Sequence, residues 1–417
     1  MSSTQEASTS DMPTAGPVTG AERIAYLDIL RGFAVMAIFA VNIKAMLMPF
    51  PWYMNPTAWG SELDQTIAVI QKFIVDDKWR TNFSALYGAG LVMIWERMRA
   101  RGIESRVVLW KRNLWLIMFG AIHLFLMWIG DILFTYGVTG LLAVLFVKMA
   151  PKKLFIWGAG LLLLGAVWMS GIMALSSLDA EASAEMSAMM WDPTAEANAE
   201  AIAAYSGSIL DQLTARVPEA AMVGIMGLLF FGLLPMTLGL MVMGMGLYRV
   251  GFYQGAWPAS RTLWLAAVGL GLAWALDAYQ VQVIANSGYA FEASVRMTPY
   301  SIVDGWLGAF GYAALISLLI SMGLKFTRVA AVGRMAFTNY ITCTLIGTTM
   351  AGGHGLGLFG AVTLTQLVYV VGATYVAMLI WSPLWLHYFR FGPLEWVWRS
   401  LVYGKLQKFR RKHEVAA

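Results

Sequence analysis

The chain has 417 residues, of which 59% are hydrophobic and only 13% are charged, and its formal net charge is +5 at pH 7. Soluble globular domains carry about 25% charged residues, so this composition excludes an ordinary soluble protein and indicates a membrane protein. The basic residues lie beside apolar runs, where orientation in a bilayer requires them, so we expect no nucleic-acid partner. The single cysteine, Cys343, lies inside an apolar run and excludes a disulfide framework.

Apolar runs of about 20 residues predict an all-α fold, a polytopic membrane helix bundle of about ten transmembrane helices. Residues 1–20, before the first run, are rich in Ser, Thr, Gly and Pro, and we expect a disordered tail without a cleaved signal peptide. The second span is short and contains glycines, so a broken or re-entrant element stays open there. The predicted spans are 29–49, 80–96, 113–130, 132–149, 153–175, 220–248, 260–282, 301–323, 329–350 and 360–386.

Charge in the connections predicts the orientation of these spans. The connection 97–112 holds six basic residues and one acid, which places it in the cytoplasm. Alternation then puts the other basic connections, the basic tail 406–417 and both termini on the same side. The connection 176–218 holds seven acids and one base, so it falls outside, and its composition predicts external amphipathic helices, with a flexible acidic loop as the alternative. We therefore expect a multi-pass membrane protein.

This organisation divides the chain into three parts between its two tails. Residues 21–150 form an N-terminal core of helices one to four. Residues 151–218 hold the fifth helix and the acidic connection, and residues 219–405 form a C-terminal transmembrane half.

The third predicted span carries an ionisable residue, His123, about two thirds of the way toward the outside. Ionisable groups at such depth are costly in a membrane and often mark a pathway or a reaction centre. Arg112 lies eleven residues earlier, so the two side chains fall on nearly the same helical face, about 16 Å apart along the axis. We expect Arg112 at the cytoplasmic surface and His123 in the outer half to border a common cavity.

Asp131 follows His123 by eight residues and is the natural orienting partner for its imidazole. A carboxylate that accepts a hydrogen bond from one ring nitrogen leaves the other nitrogen as a base. Each of these residues also has a structural alternative. Arg112 is a positive-inside anchor, Asp131 caps the fourth helix, or His123 makes an interhelical hydrogen bond.

Several sequence blocks carry a family resemblance. LDILRG (Leu27–Gly32) and the R-x10-H spacing of Arg112 and His123 resemble motifs of the integral-membrane acyltransferases and of the heparan-α-glucosaminide N-acetyltransferase group. The whole of 22–405 resembles the YeiB family, although an aromatic residue is more common there at the position of His354. The blocks that carry this closer resemblance are RIAYLDILRGFAVMAIFAVNI, HLFLMWIGDILFTYG, GRMAFTNYITCTLI and SPLWLHYFRFGPLEWVWRSLVYGK.

The resemblance, to a bacterial family, implies a multi-pass protein of the bacterial inner membrane. It also implies a transmembrane acyltransferase that takes an acyl group from cytoplasmic acyl-CoA, often acetyl-CoA in related families, and delivers it to an extracytoplasmic acceptor. In related families the histidine of this motif is a catalytic candidate, and that role carries over to His123, as general base or acyl carrier, with Arg112 as its motif partner. The acceptor stays open among a glycan, a lipid head group and a small molecule. Acyl-CoA and membrane lipids are the expected partners, and homo-oligomerisation is left open.

Residue chemistry adds candidates for the two substrates. Arg112, Arg31 and Arg106 suit the phosphates of acyl-CoA because guanidinium groups make bidentate contacts. Two asparagines, Asn42 and Asn339, are candidate donors to the tetrahedral oxygen.

Other polar residues lie toward the outer side. Arg80, beside Asp76 and Asp77, is a candidate for contacting an anionic acceptor, with a stabilising interfacial cluster as the alternative. We expect Asp277 and Asp304 to line the same outer vestibule. The block FGPLEWVWRSL predicts an amphipathic helix on the inner leaflet.

Two further functions compete with acyl transfer. A transporter or flippase would use Arg112, His123 and Asp131 as a relay, and a receptor or scaffold would use the fold without chemistry. The sequence lacks Walker, dinucleotide-binding and nucleophile-elbow motifs, and its four histidines are too dispersed to predict a metal site.

Overall fold

The apolar runs fold as helices, which satisfy their backbone hydrogen bonds internally, as a membrane span requires. The computed structural model describes residues 25–411. Seven of its helical segments are long and apolar enough to cross a membrane, or eight if one bent pair counts as a single span. The seven are α1 (Ala25–Leu47), α5 (Ser105–Ile122) with the π-helical turn His123–Met127, α7 (Pro151–Ser176), α10 (Ile209–Ala220) continued to Phe230 by a π-helical turn and α11 (Gly227–Phe230), α13 (Ala259–Asn286), α14 (Phe291–Ser321) and α17 (Leu364–Tyr388).

The other predicted spans are helical as well. They correspond to α4 (Lys78–Ala100), α6 (Leu133–Ala143), α12 (Leu233–Arg249) and the bent pair α15 (Thr327–Arg334) and α16 (Ala336–Ala351). The prediction of an all-α polytopic bundle is therefore confirmed. The count of ten stays a prediction, because α4, α6 and α12 lie outside the seven or eight segments that qualify by length and composition.

Individual spans differ from their predicted form. The second span is one unbroken helix, α4, so the re-entrant alternative is wrong. The single span predicted over 220–248 is wrong too, because the helix ends at Phe230 and resumes at Leu233, with Gly232 at φ +72°. The span predicted over 329–350 bends by 81° between α15 and α16.

The acidic connection is helical, so the flexible-loop alternative is wrong. Each of its three helices begins with an N-cap side chain, from Asp179, Thr194 or Ser208, that accepts a backbone N–H bond and so satisfies a free donor of the first turn. The three are α8 (Ala180–Met190), α9 (Ala195–Ser206) and the first part of α10. Three short helices complete the described chain: α2 (Phe50–Met54), α3 (Glu62–Ile74) and α18 (Pro393–Tyr403).

Arg249 makes hydrogen bonds that link several connections at one end of the bundle. Its Nε donates to Glu96 at 2.9 Å, and its terminal nitrogens donate to the carbonyl oxygens of Val147 at 2.8 Å and of Met149. The last residues of α4, the chain after α6 and the end of α12 therefore meet. We call this end of the bundle the basic end. The meeting of these connections here agrees with their predicted placement on one face of the bundle.

Asp277 and Asp304 were expected to line an outer vestibule, and that expectation is wrong. Both carboxylates are buried, and each pairs with Lys72 and Lys78 at Nζ–O distances of 3.0 to 3.6 Å. The Lys78 side chain is only 1% exposed. This quartet of charges links α3 and α4 to α13 and α14, and it offsets two buried negative charges with two positive ones.

Close packing of α1 against α15 brings two arginine-bearing segments together. A Cβ at Gly333 would lie 1.9 Å from the carbonyl oxygen of Asp28, and a Cβ at Gly32 would lie 2.1 Å from that of Val329. Such distances exclude any side chain, so glycine is required at both positions. The contact sets Arg31 and Arg334 beside the same cavity, which is described below.

Candidate functional site

His123 begins the π-helical turn that follows α5. The Trp128 backbone N–H donates to the His123 carbonyl at 2.8 Å, which closes the wider turn typical of functional sites in helices. The side chain is fully buried, and its Nδ1 lies 2.7 Å from Asp131 Oδ1. Because a carboxylate can only accept, Nδ1 donates to it and a neutral imidazole then accepts at Nε2.

Asp131 combines the two roles that the sequence left open. One of its carboxylate oxygens orients His123, and the other accepts the backbone N–H of Phe134 at 2.5 Å in the first turn of α6. The hydrogen bond from the Phe134 N–H holds the Asp131 carboxylate in place, and this carboxylate in turn fixes the orientation of the His123 ring.

Thr344 on α16 completes the contacts of the imidazole, and sequence reasoning missed it. Its Oγ1 lies 2.9 Å from His123 Nε2 and is fully buried. Two aromatic rings enclose the histidine, Tyr340 with its centroid at 5.1 Å and Trp128 at 6.3 Å. A polar stripe of Tyr340, Thr344 and Thr348 at four-residue spacing was the available signal.

A cavity of about 180 Å³ opens among the helices near the basic end. We call it the inner cavity. Four arginines line it, with two acids and several aromatic rings. Its polar and aromatic lining comprises Asp28, Arg31, Arg112, Arg334, Glu395, Arg399, Phe83, Tyr87, Tyr136, Phe337, Tyr340, Trp398 and Tyr403.

Arg112 is held in this lining by aromatic contacts. Its guanidinium lies 3.8 Å from the ring centroid of Trp398 on α18, and the Trp398 indole N–H donates to the Arg112 carbonyl at 3.1 Å. Its Nε is buried and has no hydrogen-bond partner. Arg31 pairs with Asp28 at 3.3 Å beside the same cavity. The amphipathic helix predicted at the C-terminus is thus present as α18, and it packs against α5.

Glu395 of α18 caps the helix that carries Thr344. Its carboxylate accepts the backbone N–H groups of Phe337 and Thr338, at 2.7 and 3.1 Å, and the Thr338 hydroxyl at 2.6 Å. These donors lie in the first turn of α16, where helix N–H groups have no internal partner. Glu395 therefore fixes the start of α16 and also lines the inner cavity.

A second cavity, of about 310 Å³, lies at the other end of the same helices, under α9 and α10. We call it the outer cavity. Helices α9 and α10 of the acidic connection line it, and their placement outside the cell stays a prediction. The polar and aromatic side chains that line it are Glu200, Tyr205, Gln212, Arg216, Glu219, Thr348, Phe50, Trp128 and Phe359.

His123 lies between the two cavities and borders neither. Along α1 the inner cavity includes Arg31 and the outer cavity begins at Ala45, fourteen residues or about 21 Å later. Along α16 the boundaries are Tyr340 and Thr348. The expectation that Arg112 and His123 border a common cavity is therefore wrong, because Tyr340 stands between the histidine and the inner cavity.

The remaining predicted site residues do not join this arrangement. Arg106 is exposed near the start of α5 and lines neither cavity, and Asn42 is half-buried and also lines neither. Arg80 pairs with Asp77 at 2.6 Å, which fits the interfacial alternative.

Asn339 was predicted as a donor to the reaction centre, but its amide is already occupied. Its Nδ2 donates to the Val332 carbonyl at 3.0 Å and to the Ser382 hydroxyl at 3.1 Å, and its Oδ1 accepts from Trp381 at 2.7 Å. With both amide hydrogens used, Asn339 holds the bend between α15 and α16. Within residues 25–411 no group of three or more His, Cys, Asp and Glu side chains is placed to hold a metal ion.

Fold and sequence together define a polytopic α-helical membrane protein. Residues 247–405 match a family described as "Protein of unknown function (DUF418)". The chain is 31% identical to the uncharacterized protein YeiB of Escherichia coli over 91% of its own length and 96% of that protein. It is 29% identical to the uncharacterized protein YxaH of Bacillus subtilis over 97% of its length and 100% of that protein. The chain belongs to the YeiB family. No solved structure matches it.

Proposed function

We propose that this protein is a membrane acyltransferase that takes an acyl group from acyl-CoA in the inner cavity and transfers it, at His123, to an acceptor in the outer cavity. One observation carries the proposal. An imidazole oriented by a carboxylate lies between two cavities that enter the bundle from opposite ends. Such a carboxylate-oriented imidazole has the geometry of a general base.

The inner cavity has the chemistry that an acyl-CoA donor requires. Its arginines supply positive charge for the phosphates of the nucleotide, and the buried Nε of Arg112 still lacks an acceptor. A cavity of about 180 Å³ suits the thin pantetheine arm, so the nucleotide would stay at the mouth near the basic end. The positive-inside prediction places that mouth in the cytoplasm, where acyl-CoA is made.

Tyr340 separates a donor in this cavity from His123. Its hydroxyl donates a long hydrogen bond, 3.4 Å, to the carbonyl of Gly130. Transfer therefore requires that the Tyr340 side chain rotate when a donor binds. A closed resting state keeps the two cavities apart until a donor binds.

Transport is the second candidate function, and a different feature favours it. The 81° bend between α15 and α16, beside a histidine that separates two cavities, is the kind of discontinuous helix that transporters use around a substrate site. In that case His123 and Asp131 would relay a proton, and no acyl group would change partner.

Binding of coenzyme A to the purified protein tests the proposal. A ligand that binds only the native state adds about 2.7 kcal/mol of stability at about 100 times its Kd, so acetyl-CoA and longer acyl-CoAs should raise the melting temperature. We expect Arg112→Ala to lose that rise.

Arg106→Ala is the matched control, because it removes an arginine from the same helix outside the cavity, and it should keep the rise. Arg112→Lys, which keeps the charge, should keep part of it. The absence of any shift with every acyl-CoA in the wild-type protein would favour transport instead.

A further inference from the structure

Thr344, His123 and Asp131 form a continuous series of hydroxyl, imidazole and carboxylate. The oxygen of Thr344 lies 2.9 Å from Nε2, and Asp131 holds Nδ1 at 2.7 Å. In an activated nucleophile, the base lies within hydrogen-bond reach and is oriented by a third group, as in this series. We propose that Thr344 is a nucleophile that carries the acyl group as an ester between donor and acceptor. This inference rests on the proposed function and adds a covalent step to it.

The place of Thr344 on α16 fits a carrier. Tyr340, one turn earlier, lines the inner cavity, and Thr348, one turn later, lines the outer cavity. Residues at four-residue spacing follow one face of a helix, and each four-residue step advances about 6 Å. An acyl group on Thr344 is thus about one turn from either cavity.

The contacts of Thr344 differ from those of other threonines on the same helix. Thr342 and Thr348 each donate to the carbonyl four residues earlier at 2.8 Å, which is the ordinary structural use of a threonine in a membrane helix. For Thr344 the corresponding distance, to the Tyr340 carbonyl, is 3.3 Å, and the contact to the imidazole is shorter. Its hydroxyl is therefore directed to the base.

The two half-reactions balance. In the first, Thr344 Oγ1 attacks the thioester carbonyl, His123 Nε2 takes the hydroxyl proton, the C–S bond breaks and the proton passes to the leaving thiolate of coenzyme A. In the second, a hydroxyl or amine of the acceptor attacks the Thr344 ester and gives its proton to His123. The ester C–O bond then breaks, and the proton returns to the threonine oxygen.

Incubation of the purified full chain with acyl-CoA, without an acceptor, tests the inference. We use acetyl-CoA and, in parallel, longer acyl-CoAs, and we measure the released thiol and the mass of the intact chain. The wild-type protein should gain one acyl group on the α16 peptide that contains Thr344, and hydroxylamine should remove it. Thr344→Val and His123→Ala should acylate about 10³-fold more slowly or not at all.

Two further variants keep the test decisive. Thr344→Ser retains a hydroxyl and should acylate, which shows that the site is intact. Thr342→Val, on the same helix and with the same kind of structural hydrogen bond, should acylate as the wild type does.

The possible failures are distinguishable. Release of coenzyme A by Thr344→Val at the wild-type rate, release by the wild type without any adduct, or an acyl group mapped to His123 would overturn the acyl-threonine but leave acyl transfer standing. A wild-type protein that neither binds acyl-CoA nor releases the thiol would overturn the proposed function and this inference together.

Discussion

At the residue scale, the candidate site depends on which nitrogen of His123 carries the proton. Asp131 accepts from Nδ1–H with one oxygen and from the Phe134 N–H with the other, so its position and charge together leave Nε2 free to accept from Thr344. The orientation of one ring thus decides whether a neighbouring hydroxyl can be activated.

Asp131→Asn tests this dependence. The amide oxygen would keep the Phe134 bond, and the amide nitrogen would then donate to Nδ1, which moves the imidazole proton to Nε2 and removes the base. We expect acylation to fall by about 10²- to 10⁴-fold while the melting temperature and acyl-CoA binding change little. Mass spectrometry of the acylated chain measures the first effect, and thermal shift the other two. An unchanged rate would show that the histidine does not act as a base.

His123 and Asp131 could be predicted as partners because Asp131 follows His123 by only eight residues. His123 lies just after α5, and Asp131 lies just before α6. Thr344 is 221 residues from His123, and a threonine in an apolar helix has an ordinary structural use, so the polar stripe on α16 could not by itself connect it to His123. For the same reason Arg334, Arg399 and Glu395 were not expected at the inner cavity, since their placement depends on how α15 and α18 pack.

At the element scale, the sequence predicted where helices lie better than where they break. Apolar runs of sufficient length specify helices in a bilayer, and each predicted span contains one. The break at Phe231–Gly232 lies inside apolar sequence, and the bend before α16 follows Arg334 inside one predicted span, so hydropathy could not reveal either. The bend depends on tertiary contacts, such as those of Asn339 with Val332 and Ser382.

One capping contact between elements allows a test of stability against pH. Asp64 of α3 is buried and accepts the Thr365 N–H at 2.7 Å and the Thr365 hydroxyl at 2.6 Å, at the first turn of α17. Burial alone would raise the pKa of Asp64, but the hydrogen bonds from Thr365 outweigh it and hold that pKa below its usual value of 3.8. Stability from this carboxylate is therefore present above about pH 4 and is lost as the pH falls through the lowered pKa.

Asp64→Asn should lower the free energy of unfolding by about 1 kcal/mol at neutral pH, because a neutral acceptor makes weaker hydrogen bonds than a carboxylate. The variant should also lose less stability than the wild type below pH 4. Thermal unfolding at several pH values measures both effects. Glu62→Gln, at an exposed acid in the same turn, should match the wild type, and equal acid sensitivity of Asp64→Asn would assign the effect to other groups.

At the scale of the whole molecule, buried charges that line neither cavity connect its parts. The quartet of Lys72, Lys78, Asp277 and Asp304 links the α3–α4 region to the long pair α13 and α14. Gln280 also donates to Asp304, at 2.5 Å. The charges of these four residues cancel only when all four are together. The cluster therefore favours the arrangement of helices that brings them together.

Lys78→Met should destabilise the protein by about 3–5 kcal/mol, because it leaves two buried carboxylates with one partner. Lys72→Met should cost less, since the Lys72 side chain is 22% exposed and water can replace its contacts. The double variant Lys78→Met with Asp277→Asn should recover part of the loss. Thermal unfolding in detergent compares the three variants. A Lys78→Met protein as stable as the wild type would show that the quartet does not stabilise the fold.

The layer of His123, Thr344 and Tyr340 also has an electrical consequence. Because the two cavities approach this layer from opposite ends, a membrane voltage falls mostly across the roughly 12 Å that separate Tyr340 from Thr348 along α16. A full charge moved through 100 mV changes the free energy by about 2.3 kcal/mol, and a proton that passes between a hydroxyl and an imidazole here moves through part of that drop. In the proposed acyl transfer, the membrane voltage would therefore act directly on the chemical step, an influence that solubilised protein does not experience.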